Sequence, residues 1–254
     1  MPLQTALAKS KNMVSIRVLR ATGVEFAQEW IQNFGFEADK HPAYLTMALG
    51  AGSVTPMQMA TAYSVFANGG YRLPPMLIQR VTDQKGKVLL ETRPPVLDES
   101  LRTLPARNAF VMDTLLQEVA RSGTAAKAQA QLKRPDIYGK TGTTNDSMDA
   151  WFAGFQPSLV AVVWIGYDNP RKLGDRETGG GLALPVWIEL MQYALRGVPV
   201  QELTPPEGVI QSGPYWMFDE FSHGAGIASM GLDDKIPQPA TTEERSSILD
   251  LFRR

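Results

Sequence analysis

The residues best equipped for chemistry lie together in Tyr138-Gly139-Lys140-Thr141-Gly142-Thr143-Thr144-Asn145-Asp146, a cation and a run of hydroxyls around a residue without a side chain. Lys140 and the threonine hydroxyls of Thr141, Thr143 and Thr144 can together hold a carboxylate. Gly142 lets a second backbone come close, as a peptide laid along a sheet edge requires. The backbone N–H of Thr143 can point at a developing oxyanion. The same residue types also suit the polar end of a hairpin, because Gly, Thr and Asn favour turns. Asp149-Ala150-Trp151-Phe152-Ala153-Gly154-Phe155 follows at hairpin distance.

Ser10-Lys11-Asn12 is the second candidate. Alone it reads as three solvated residues between helices. Its pairing with the strand at 140–143 reverses that reading. His41 and His223 are the two histidines, far apart and without a nucleophile motif beside them, so neither a metal site nor a Ser-His-Asp triad is expected. There is no cysteine, which excludes disulfides and thiolate metal sites. Lys+Arg 25 against Asp+Glu 26 gives a net charge of -1, so no basic field points to nucleic acid. No cofactor is expected.

The elements that must position these residues follow from periodicity. Leu3, Leu7, Val14, Val18 and Leu19 share a helical face over 3–20. After Gly23, Phe26, Trp30, Ile31 and Phe34 mark a second helix that Gly35 stops. Residues 41–53 are a Gly- and Ala-rich loop, and Thr55-Pro56 caps a helix whose core face is Met59, Ala62, Tyr63 and Phe66. Extended segments at 77–82 and 87–92 flank a turn, and 105–121 is helical. A small-residue loop, Arg121-Ser122-Gly123-Thr124-Ala125, precedes three strands at 137–144, 150–155 and 159–167, the last apolar enough to be central in a sheet. A helix at 184–195 closes the series; Trp151, Trp164 and Trp187 are assigned to packing. Thr178-Gly179-Gly180-Gly181 is either a loop beside the site or an ordinary turn. Prolines at 199, 205, 206, 214, 237 and 239 interrupt the rest of the chain, so 199–254 is expected as a loosely ordered tail. The predicted fold class is α+β, an antiparallel sheet packed with helices.

Lys140-Thr141-Gly142 on a strand, preceded by Ser10-Lys11-Asn12, resembles the signature of penicillin-binding proteins and β-lactamases. Connecting phrases resemble the class A, bifunctional penicillin-binding proteins in particular: Ala8 to Ser15, Leu49-Gly50 through Asn68-Gly69-Gly70, Trp164-Ile165-Gly166-Tyr167-Asp168 and Thr178-Gly179-Gly180. The resemblance covers residues 1–195 and implies a penicillin-binding-protein/β-lactamase-like transpeptidase fold. It also implies a serine acyltransferase that cross-links D-alanyl-D-alanine peptide stems of peptidoglycan and binds β-lactams. Ser10 would then relay a proton to the amine, and Asn12 would bond the substrate amide. Lys140 would supply positive potential, Thr141 and Thr143 would contact the terminal carboxylate, and Gly142 and Thr144 would flank it. Intact members of the family are periplasmic and anchored to the inner membrane.

The family's third motif, Ser-x-x-Lys, carries the acylated serine. No serine here has a lysine three residues on, and Thr82-Asp83-Gln84-Lys85 and Thr124-Ala125-Ala126-Lys127 offer only threonine, downstream of Ser10. Residues 1–198 are therefore expected to be a partial, N-terminally incomplete transpeptidase domain without a nucleophile, inactive alone. Helices 3–20 and 55–68 should expose apolar surface where the missing segment would pack. The missing upstream half is then a candidate partner. A chain with no signal peptide or membrane span is expected to be cytoplasmic if made alone. The alternative is a non-catalytic module that holds peptide stems or a partner.

Overall fold

The structure, a computed structural model, describes residues 1–222 apart from Arg176. Where one helical stretch was expected over 3–20, there are two helices, α1 (Leu3–Ala8) and α2 (Asn12–Thr22). The chain turns between them at Ser10, whose φ is 50°. α3 (Val24–Trp30) follows and tightens into a 3-10 turn that stops at Gly35, in the left-handed region at φ 94°. α4 (Pro56–Ala67) begins with a reciprocal cap. Thr55 Oγ1 accepts from the Gln58 N–H at 3.1 Å, and Gln58 Oε1 accepts from the Thr55 N–H at 2.9 Å.

β1 (Arg80–Thr82) and β2 (Val88–Glu91) form a separate hairpin whose residues are all exposed. α5 (Ala106–Ser122) then leads to α6 (Ala126–Leu132), a helix that the sequence periodicity does not predict. Ala-Lys-Ala-Gln-Ala-Gln-Leu is good helix material without an apolar face, so propensity forms the helix where periodicity gives no signal. β3 (Tyr138–Thr143), β4 (Ala150–Gln156) and β5 (Leu159–Ile165) form an antiparallel sheet in that order. α7 (Leu184–Ala194) follows a π-helical turn at Gly179–Ala183.

Register divides the side chains between two cores. Tyr138, Lys140 and Gly142 lie opposite Phe155, Ala153 and Trp151, which lie opposite Val160, Val162 and Trp164. All share one face. At its lower end Tyr138 stacks on Phe155, centroids 4.9 Å apart, against Leu116 of α5 and Tyr63 and Phe66 of α4. The opposite face packs Phe152 and Ala161 on Trp187, Ile188 and Met191 of α7 and Ala128 of α6. The sheet is thus a middle layer between helices, the α+β arrangement expected.

One expectation needs correcting. Residues after 198 do form regular structure within the described part: β6 (Val209–Ser212) and β7 (Tyr215–Phe218) make a hairpin, and Trp216 packs edge-to-face on Phe110 of α5 at 5.1 Å. Pro214 sits in the hairpin's turn, outside the paired residues, and so does not interrupt the ladder. The chain leading to it is clamped by Arg134, which donates to Val198 O at 2.6 Å and Pro199 O at 2.8 Å and pairs with Asp136 at 2.7 Å. His223 and the remainder of the expected tail lie outside the described residues. Leu3, Met13 and Met57 on α1, α2 and α4 are 52%, 50% and 58% exposed, in line with the apolar surface expected on those helices. No described helix is long and apolar enough to cross a membrane.

Candidate active site

Ser10 owes its position to the junction of α1 with the end of α5. The Thr124 N–H donates to Ala8 O at 3.0 Å, and Lys9 Nζ reaches Ser122 O at 3.4 Å. Gly123 permits this contact, because a Cβ there would lie 2.3 Å from Ala8 O. The hydroxyl of Ser10 is thereby held over β3, where Lys140 Nζ donates to it at 2.9 Å and to Thr141 O at 3.0 Å. The two motifs, 130 positions apart, meet through this bond. Burial pushes the Lys140 ammonium down to about 8 from its ordinary 10.5. Asn12 opens α2 and is exposed.

Strand alternation sends Thr141 and Thr143 to the face opposite Lys140. Thr141 Oγ1 lies 2.6 Å from Thr124 Oγ1, and Thr143 Oγ1 accepts from the Gly179 N–H at 3.0 Å. A side chain on Gly179 would meet Trp151 O at 2.3 Å and Gly142 O at 2.4 Å, so the turn before α7 lies directly on the sheet backbone. That resolves the open reading of 178–181: it is a turn built against β3. The missing side chain that permits this contact is that of Gly179; a Cβ on Gly142 would point to the Lys140 face, 3.2 Å from Trp151 Cβ. Thr144 closes the β3–β4 connection, its Oγ1 accepting from the Asp149 N–H at 2.7 Å. Among the described residues β3 pairs only with β4, which leaves its other edge open for an added strand.

A cleft of about 480 Å³ runs along this strand, walled by Lys140 to Thr144 on one side and by the 49–56 loop with Met59 and Tyr63 on the other. Its floor is Trp151 and Trp164, tilted against each other at 5.9 Å, with Trp164 Nε1 donating to Asp149 Oδ1 at 2.7 Å. The assignment of these two to packing is therefore incomplete, since both are half-buried and face the cleft. Trp187 is fully buried, as expected. Thr124 was missed as a site residue. The signal available was its short side chain in a loop with no apolar face to fill, two residues after the end of a helix.

Although they lie on opposite faces of β3, Lys140, Thr141 and Thr143 line the same cleft, so a carboxylate at the strand's open edge can reach the cation and the hydroxyls, and a proton can pass between Lys140 and Ser10. Thr124, the first member of Thr124-Ala125-Ala126-Lys127, does reach the site, but its hydroxyl is occupied by Thr141. Among the described residues no group of three or more acids or histidines is placed to bind a metal ion.

Residues 1–192 match the family described as penicillin binding protein transpeptidase domain. Penicillin-binding protein 1A of Neisseria flavescens is 45% identical over 242 residues, covering 94% of this chain and 30% of that protein. The Pseudomonas aeruginosa penicillin-binding protein 1A is 40% identical over 82% of this chain and 31% of its own length. The chain therefore spans about 30% of the length of these relatives. The crystal structure of penicillin-binding protein 1A from Haemophilus influenzae superposes with a TM-score of 0.79 at 34% identity, over 83% of this chain and 36% of that one. PonA1 from Mycobacterium tuberculosis, solved in complex with penicillin V, shares the fold with a TM-score of 0.64 at 24% identity, over 81% of this chain and 59% of its own.

Proposed function

Because the chain belongs to the penicillin-binding protein transpeptidase family, we propose that its cleft is the substrate-holding side of a serine acyl-transfer site for peptidoglycan cross-linking. The observation that carries this reading is the Lys140–Ser10 bond at the mouth of a strand presenting Thr141 and Thr143. A peptide ending in D-alanyl-D-alanine would add along the open edge of β3, its terminal carboxylate between Lys140 and the threonine hydroxyls. The Thr143 N–H would stabilise the oxyanion, Ser10 would relay the proton, and Asn12 would bond the amide. A β-lactam would occupy the same place through its own carboxylate.

The nucleophile and its lysine must come from residues outside these 254, since no Ser-x-x-Lys occurs among them. The edge of the apolar strand β5 that is unpaired among the described residues, with the exposed Leu3, Met13 and Met57, supports a partner segment that pairs with and covers them. Incubation with fluorescent penicillin followed by denaturing electrophoresis tests this. The chain alone should carry no covalent label, and co-expression with a segment bearing Ser-x-x-Lys should place the label on that segment. A stable adduct on the 254-residue chain itself would refute the reading. The alternative, a module that holds peptide stems without chemistry, predicts binding but no labelling in either case.

A further inference from the structure

Tyr138, two residues before Lys140, lines a second cavity of about 80 Å³ between α5, the start of β3, the segment after α7 and β7. Asp113 of α5 faces it, 2% exposed, and its Oδ1 has no hydrogen-bond partner among the described residues. The lining contains a second acid, Glu202, with Gln117 and the rings of Phe110 and Trp216, and no Lys, Arg or His. Gln117 commits its Nε2 to Pro135 O at 2.9 Å, leaving its amide oxygen as an acceptor. Cations on the elements packed against α5 are engaged elsewhere or turned outward. Arg107 pairs with Glu220 at 2.8 Å, Lys9 reaches Ser122 O, Lys140 bonds Ser10, and Lys127 is exposed.

We propose that this cavity binds a monovalent cation of about ammonium size, either an inorganic ion or a primary ammonium head group, between buried Asp113, exposed Glu202 and the Phe110 and Trp216 rings. The Asp113 and Glu202 carboxyls, the Gln117 amide oxygen and the Tyr138 phenol oxygen line the pocket beside the Phe110 and Trp216 rings without a cationic side chain, which suits a cation. A buried carboxyl without a partner keeps its proton, and burial pushes Asp113 up to about 9. Binding is therefore an exchange: the cation enters, the Asp113 carboxyl becomes a carboxylate, and one proton leaves to solvent. Affinity consequently rises with pH until Asp113 is ionised. The other titratable groups around it are Glu202 and Tyr138, with Tyr63 of α4 packed on the cluster that holds Tyr138.

The test uses the full chain at about pH 8 and constant ionic strength, balanced with tetramethylammonium, which is too large for the cavity. Potassium, ammonium and methylammonium chlorides are titrated while the melting midpoint is followed. At tenfold saturation the midpoint should rise by about 3 °C. Calorimetry in two buffers of different ionisation enthalpy should find a net proton released on binding. Asp113→Asn, isosteric with the protonated acid, should abolish the rise, and Glu202→Gln should weaken binding several-fold. A response to potassium and ammonium without methylammonium identifies an inorganic ion, and a response to methylammonium identifies a head group. No saturable rise with any of the three, an undiminished rise in Asp113→Asn, or binding without proton release would each overturn the proposal.

Discussion

Burial and charge compete directly at Lys140. With its ammonium at about 8 against an ordinary 10.5, the folded chain is penalised for carrying the charge at low pH. That cost is present in full below pH 8 and is relieved as pH rises from 8 towards 10.5. Carboxylate binding runs the other way, because it needs the ammonium. Non-covalent affinity for a carboxylate-ended peptide, measured by calorimetry from about pH 6 to 9, should hold to about pH 7 and fall as pH passes about 8. Lys140→Ala should lower that affinity about tenfold or more at neutral pH, the loss of one charge-assisted bond, and should flatten the pH profile. The meeting of Lys140 with Ser10 was foreseeable because Lys140-Thr141-Gly142 and Ser10-Lys11-Asn12 together resemble one family signature. Thr124 was harder to find, since its short side chain in a loop is a slight local cue and its contact with Thr141 is non-local.

At the scale of elements, the site depends on two backbone contacts that exclude side chains, Gly123 on α1 and Gly179 on the sheet. Gly123→Val should cost about 1–3 kcal/mol in urea denaturation, because the new Cβ must push Ala8 O away and undock α1 from α5. It should also weaken peptide binding, since Ser10 moves with α1. The amphipathic helices and the apolar strands were legible because burial imposes periods of 3.6 and 2 on their residues. α6 buries only Ala128 fully and packs Leu132 at its end against the core, too few positions to leave such an imprint. The β6–β7 hairpin was obscured by its prolines, although Val209-Ile210 and Tyr215-Trp216-Met217-Phe218 around Gly213-Pro214 are strand-and-turn chemistry.

For the molecule as a whole, the two edges of the central sheet differ in character. β3 presents threonines and a lysine, whereas β5, Leu-Val-Ala-Val-Val-Trp-Ile, is apolar throughout yet pairs on one side only among the described residues. Its composition is that of a central strand, which fits the observed edge position if further strands pair with it. Hydrogen exchange should then show β4 amides well protected and the outward amides of β5 exchanging fast, slowing when a complementing segment is added. The central claim, however, is that Lys140, Thr141 and Thr143 hold a peptide's terminal carboxylate without any nucleophile in the chain. Titration of a D-alanyl-D-alanine peptide into the isotopically labelled protein, followed by NMR, tests this most directly. Saturable shifts centred on 140–144 and lost in Lys140→Ala are the predicted result; shifts that are absent, or that survive the substitution unchanged, would contradict it.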